Sequence, residues 1–497
     1  MGSGVFVGID HGGSTTTALV FDAERGKLAA HSVRMPKHTP SVGWVEHDPE
    51  DFLLTGNRAA RAALDAAKLT WYDVEAIGIA NQGETSMAWS RETGAAIGPA
   101  ISWQDRRTSA MCEALAAEGL DALVRARTGI LLDPYFSASK FKWLIENLPE
   151  AGAAFGRGAL ALGGTDSYVI HRLTGGAVHA TDAATASRTA LFNLSGLHWD
   201  GDLLRAFGLE ESALPEIRPT CGDFGTVRHE DFAGAQPPIT ADAVDAHAAL
   251  FAQVCWDETA VKATYGTGAF IETNTGARPA TPDGRLLVFV AWEVEGRVDY
   301  TIEGGVFSVG SAVDWAVSAG LLPSAEGSAA LAGSVPDRGG VLVVPCFAGL
   351  SAPHWASDAR AVILGLGLDS EPGHIARALL DGIAFRCAEV IEALDARMGG
   401  SLREVKADGG PTANPYLMQR QADLLNLPVV VSKEPDMTAL GAALLAGIGA
   451  GQLTRDDVRA MARESSVYEP AMSEDERQAH WAEWRGGVET VLRRRGS

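Results

Sequence analysis

The chain has 497 residues, room for two to four domains of roughly 150 each, and its 46% apolar and 21% charged content is that of a globular protein, not a disordered or fibrous one. A net charge of −22 repels phosphate polymers and anionic membranes, so neither nucleic acid nor a membrane is an expected partner; the one dense basic cluster is residues 493–495. Five scattered cysteines with no CxxC pair exclude a disulfide framework or a cysteine-based zinc site and fit a reducing, cytoplasmic compartment.

The first residues show no basic region followed by an apolar stretch, so no signal peptide is expected. Residues 5–10 and 16–22 are apolar runs around His11, Gly12, Gly13, Ser14 and Thr15, the pattern of a β-hairpin with a glycine turn. Asp48 and Pro49 suit a helix N-cap and first turn, with Phe52, Leu53, Ala60, Ala63 and Leu64 behind them. Residues 76–80 read as a buried strand running into a polar turn at 81–85. Residues 262–275 repeat the plan of the first hairpin about 255 residues later, close to half the chain. An internal duplication explains this repeat, with a boundary near residues 251–258; so does the recurrence of glycine turns in α/β proteins. A helix is expected over about 374–397, where Ile375, Leu379, Ile383, Cys387, Ile391 and Leu394 recur near a 3.6-residue period. Residues 439–451 are low in polarity but too few to span a bilayer.

Four places carry potential chemistry, and each also has a plain structural reading. Asp10 followed by Gly12–Thr15 sets a carboxylate at a strand end beside a turn of backbone amides, an anion and Mg²⁺ site or an ordinary hairpin turn. Residues 408–410, Asp-Gly-Gly, precede a helix-like stretch at 414–425, where a phosphate or sugar could approach a helix N-terminus or the glycines simply turn the chain. Residues 101–108 crowd Trp103 beside an amide, a carboxylate and two arginines: an apolar wall for a carbohydrate, or a helix start with salt-bridged arginines. Asp242 and Asp245 precede an alanine-rich helix at 246–253, as a helix cap or a general base. His247 has no partner at metal-ligand spacing and is read as a packed or surface residue. No Walker loop and no GxGxxG follows a strand.

Taken together these residues resemble the FGGY carbohydrate kinases, most of all the glycerol kinases within that family. The resemblance runs from Val7 to about Trp484 through GWVEHDP (43–49), WQDRRT (103–108), DPYFSASKFKWL (133–144), TYGTGAF (264–270), VVPCFAGLSAPHW (from 343), AVILGL and HIARALLD (361–381) and DGGPTANPYLMQ (408–419). It implies a duplicated α/β fold of two actin-like, ribonuclease H-like lobes around a cleft, divided as residues 1–253 and 254–497. It implies an ATP-dependent kinase using Mg²⁺, with a small polyol or sugar as its partner, in an assembly that is often a dimer or tetramer. Asp10 and Asp245 would hold the metal, the amides of Gly12, Gly13, Ser14 and Thr15 the phosphates, and Gly266, Thr267 and Gly268 would close on them. Gly310, Gly409, Gly410 and Asn414 would line the adenosine site. Asp245 would be the general base; Glu84 and Tyr135 would hold hydroxyls while Trp103 and Phe270 sandwich the carbon chain.

Two departures bear on the substrate. The glycerol kinases carry an arginine where this chain has Gly83 and a glutamine where it has Ala246. Both changes remove hydrogen bonds to glycerol and enlarge the pocket, so a four- or five-carbon polyol or ketose is expected, with glycerol itself as the alternative. A nucleotide-dependent switch of the same architecture is a third reading, which would not need the acceptor residues. His11 stands where the family usually has glutamine, and residues 229–238 lack the Gly-Arg pattern that would bind fructose bisphosphate, so that control is not expected.

Overall fold

The computed structural model of the chain describes residues 4–461 and 465–494. Val5–His11 (β1) and Thr15–Asp22 (β2) form the first expected hairpin, with Asp10 opposite Thr17. Gly26–Arg34 (β3) pairs antiparallel with β2, and Val74–Asn81 (β4) and Ile239–Val244 (β5) add in parallel beyond β1. The sheet order is β5-β4-β1-β2-β3.

The second hairpin, Ala260–Tyr265 (β6) and Ala269–Gly276 (β7), seeds a larger sheet. Leu287–Val294 (β8), Arg297–Val306 (β9), Glu404–Asp408 (β10), Val429–Ser432 (β11) and Ser465–Tyr468 (β12) complete it, in the order β8-β9-β7-β6-β10-β11-β12. Within it β9, β7 and β6 are antiparallel while β10 and β11 run parallel to β6. Order and direction repeat those of the first sheet, so the two glycine hairpins are equivalent parts of a duplicated α/β architecture.

Pro49–Ala67 (α1) opens as expected, with the Asp48 carboxylate accepting from the Glu50 amide at 3.0 Å and its apolar stripe buried on β2 and β3. Ala183–Ser187 (α2) precedes Arg188, and Asp245–Ala252 (α3) follows β5 directly. The cap of α3 is Val244 and has no side-chain bond, so Asp245 is the first helical residue and not the cap. Gly310–Ser318 (α4) follows β9; Pro372–Arg397 (α5) covers the second sheet. Asn414 caps Pro415–Leu425 (α6), its Oδ1 accepting from the Leu417 amide at 3.0 Å.

Met437–Gly449 (α7) is the apolar run too short for a bilayer, and it crosses back to pack on β1, β4, β5 and α3 of the first sheet. The approach is close because glycine lines it. A Cβ at Gly8 would lie 1.9 Å from the Ala439 carbonyl oxygen, one at Gly78 2.0 Å from that of Ala442, and one at Gly441 1.9 Å from that of Ala248. Among the described residues no helix is long and apolar enough to cross a membrane, and all five cysteines are free thiols.

Candidate active site

The parallel register of β1, β4 and β5 sets Asp10 level with Ala80 and Ala243, so β1 and β5 end together and Asp245 emerges beside the first glycine turn. Asp10 Oδ1 is buried without a hydrogen-bond partner. Burial, then the charges of Asp245 and Asp436, hold its carboxyl well above the usual carboxylate range. His11 alternates to the opposite face, edge-on to Phe52, and burial pushes its imidazole down to about 4. Gly13 turns toward the pocket: a Cβ there would sit 3.4 Å from Gln82 Oε1 and 3.6 Å from Trp103 Nε1.

The second turn is knitted to two further glycines. The Gly266 amide donates to the Gly268 carbonyl at 2.7 Å, Gly310 N–H to Gly266 at 2.9 Å, and Ser311 N–H to Thr267 at 3.1 Å. Asp408 lies opposite Thr264 in the β6–β10 pairing, and Gly409, at φ +95°, approaches so closely that a Cβ would be 1.9 Å from the Tyr265 carbonyl oxygen. Gly266, Thr267, Gly268, Gly310, Gly409 and Gly410 therefore meet at the carboxyl ends of β6 and β10. Asn414 lies just beyond; its amide is engaged by the α6 cap and by Ser328 Oγ at 3.0 Å.

Across the cleft Trp103 meets Tyr135 of its own lobe and Phe270 of the other, each with ring centroids 5.8 Å apart. The Trp103 and Phe270 planes cross at 80°, forming an apolar corner. The loop bearing Trp103 is held from behind by Arg107, whose guanidinium bonds Glu46 and Asp105 and stacks 3.8 Å over Trp44. The salt-bridged reading of residues 101–108 is realised, and Arg107 fixes the loop that carries Trp103. Lys140 donates to the Tyr135 carbonyl at 2.6 Å, and burial lowers its ammonium to about 8.

Beneath the corner runs a chain of buried charges from both lobes. Arg188 Nη1 donates to Glu84 Oε1 at 2.7 Å and Nη2 to Glu303 Oε2 at 2.5 Å; Lys262 binds Glu272 Oε1 at 3.0 Å. His247, expected as an ordinary packed or surface histidine, lies within this chain, 3.4 Å from Glu272 and 3.2 Å from Arg188. His247, Glu272 and Glu303 have the composition of a cation site, but Arg188 and Lys262 already supply its positive charge. Burial, partly opposed by Arg188, raises Glu84 to about 7. Burial also raises Asp245, against Arg188, the Ala246 amide and Lys262. Asp242 points elsewhere, accepting from the Asp182 amide at 3.1 Å in a buried group with Asp166 and Asp182. The pocket is not open beside Gly83: a Cβ there would lie 2.8 Å from Arg188 Cδ. Ala246 is half-buried and packs against the hydrophobic core.

Comparison with known proteins gives this arrangement its family. Residues 5–252 match the N-terminal domain of the FGGY family of carbohydrate kinases, and residues 261–450 match its C-terminal domain. The chain belongs to the FGGY family of carbohydrate kinases. It is 45% identical to a glycerol kinase of Thermus brockianus over 481 residues, 97% of each chain. The crystal structure of a Plasmodium falciparum glycerol kinase with ADP superposes with a TM-score of 0.93 at 32% identity, over 99% of this chain and 98% of that one. A xylulose kinase from Rhodospirillum rubrum superposes with a TM-score of 0.83 at 25% identity, over 98% of both.

This FGGY kinase is therefore an enzyme that phosphorylates an alcohol group, and the two-lobed fold expected from the resemblance is the one observed. The structure brings the sequence-predicted glycine turns, Trp103, Tyr135, Phe270, Glu84 and Asp245 to one cleft. Beside them it places Arg188, Lys140, Lys262, Glu272 and Glu303, which the sequence did not single out.

Proposed function

We propose that this FGGY kinase transfers the terminal phosphoryl group of ATP to a primary hydroxyl of a short polyol, glycerol first among them. In this reading residues 1–253 bind the acceptor and residues 254–497 the adenosine. The observation that carries it is the junction of Gly13 with Gln82 and Trp103, which sets the phosphate-type turn directly against the acceptor corner. A nucleotide switch has no use for that corner.

The residues fit the expected cofactors. The orphaned Asp10 Oδ1, crowded by a second carboxylate at Asp245, suits a divalent cation, and the glycines at 266, 268, 310 and 409 leave backbone exposed where side chains would block it. Magnesium, when bound, neutralises phosphate charge. Asp10 and Asp245 would hold it, with Gly12, Gly13, Ser14 and Thr15 on the phosphates, Thr267 closing from the other lobe, and Gly410 and Asn414 toward the adenosine.

Asp245 takes the proton of the attacking hydroxyl at its carboxylate. Burial makes it a stronger base than a solvated aspartate, while the nearby cations keep its anion accessible. Glu84 and Tyr135 orient the hydroxyls, and Trp103 and Phe270 exclude water that would otherwise accept the phosphoryl group. Such transfer needs chiefly alignment and charge neutralisation.

The small Ala246, where the glycerol kinases carry a glutamine, favours a second reading, a four- or five-carbon polyol or ketose. Turnover of ATP with glycerol, erythritol, threitol, xylitol and xylulose separates the two: the highest kcat/KM is expected for glycerol, and a longer acceptor winning selects the second. Asp245→Asn is expected to lose at least roughly 10²-fold in kcat with nucleotide affinity nearly intact. Retained turnover would assign the base elsewhere.

A further inference from the structure

The Asn81–Glu84 turn is fixed by Gly83 at φ +63°, whose amide donates to Asn81 Oδ1 at 2.7 Å. The volume above it belongs to Arg188, with Cδ 2.8 Å and Nε 3.6 Å from where a Cβ would stand. Arg188 is almost fully buried and lies face-on over Phe289 at 4.1 Å. Its two Nη atoms bind Glu84 from the first lobe and Glu303 from the second. Nε is buried too, and it has no acceptor. A buried charged donor without an acceptor is costly, and a hydroxyl oxygen reaching Nε would relieve that cost. Through Glu84 the guanidinium is bonded to the residue that the kinase reading places on the hydroxyls of the acceptor.

We propose that Arg188 determines which alcohol this kinase accepts: it closes the pocket beside Gly83, holds Glu84 in place from both lobes, and offers its Nε–H to a hydroxyl oxygen of a three-carbon acceptor. This rests on the kinase reading above. Fork geometry matters more than charge alone, because the planar guanidinium holds its donors in a fixed fork spanning both carboxylates, whereas an ammonium presents its three donors from a single atom.

The test is kinetics of the whole protein with glycerol, erythritol and xylitol, for wild type, Arg188→Lys, Arg188→Met and Arg188→Ala, with melting temperatures for each. Methionine fills the space without charge: the KM for glycerol is expected to rise at least tenfold, with the KM for ATP unchanged and the preference for glycerol over longer acceptors kept. Alanine opens the space as well, and is expected to raise the erythritol-to-glycerol ratio of kcat/KM at least tenfold. Lysine is expected to recover part of the glycerol KM lost in Arg188→Met. Should the alanine variant not fold, the lysine and methionine variants decide on glycerol KM alone. Variants that keep the wild-type glycerol KM within twofold, or that weaken ATP and every acceptor in parallel, overturn the proposal. Wild-type protein that phosphorylates no polyol would instead defeat the kinase reading itself.

Discussion

Glu84 sits in a contest between desolvation and a guanidinium. Burial drives its carboxyl upward, Arg188 pulls it back, and Glu303 pushes the same way as burial, leaving it at about 7. An ionised carboxylate accepts hydrogen bonds from hydroxyls through both oxygens, and below pH 7 this one increasingly holds a proton and becomes the weaker acceptor. The polyol kcat/KM should therefore fall as pH drops through about 7, while nucleotide affinity does not follow. In Glu84→Gln that acidic limb should disappear; a limb that persists unchanged would belong to another group. Trp103, Tyr135 and Phe270 could be singled out because each lies in a compact motif, and Asp245 because it precedes an alanine-rich helix. Arg188 was not: its partners Glu84, His247 and Glu303 are 104, 59 and 115 residues away, and no local pattern announces a contact at such separation.

Among the elements, hairpins and capped helices followed from alternation and from Asp48-Pro49, because such signals are complete within about a dozen residues. The placement of α7 is different. Its small residues were visible, but the groove of Gly8 and Gly78 that receives it is built four hundred residues earlier, so composition alone showed only that it could not span a bilayer. Gly441→Ala puts a methyl group into the Ala248 carbonyl, an overpacking that typically costs about 1–3 kcal/mol. On the exposed face of the helix Glu474–Arg493, by contrast, a Cβ at Gly486 meets nothing within 4 Å. There alanine should stabilise by about 0.4–1 kcal/mol by restricting the unfolded chain. Melting temperatures are expected to move in opposite directions, down for Gly441→Ala and up for Gly486→Ala. A shift of the same sign in both would mean that close approach does not limit the α7 groove.

At the scale of the whole molecule, sequence order and spatial order part company. The second half of the chain contributes α7 to the first sheet. The salt bridge between Arg188 and Glu303 and the hydrogen bond from Gln253 to Asp408 also join residues of the two halves. Lobes linked only by a hinge would melt separately; lobes sharing a helix should not. Calorimetry is expected to show one unfolding transition, and two well-separated ones would show that the lobes are independent after all. The crossing of α7 also sets a timetable for biosynthesis. A nascent chain emerging from the ribosome has every strand of its first sheet by residue 244, yet must wait for residue 449 before that sheet's bare glycine face is covered. At about 5–20 residues per second this is roughly ten to forty seconds of exposure, an interval in which a chaperone, rather than the protein itself, would have to shield the groove.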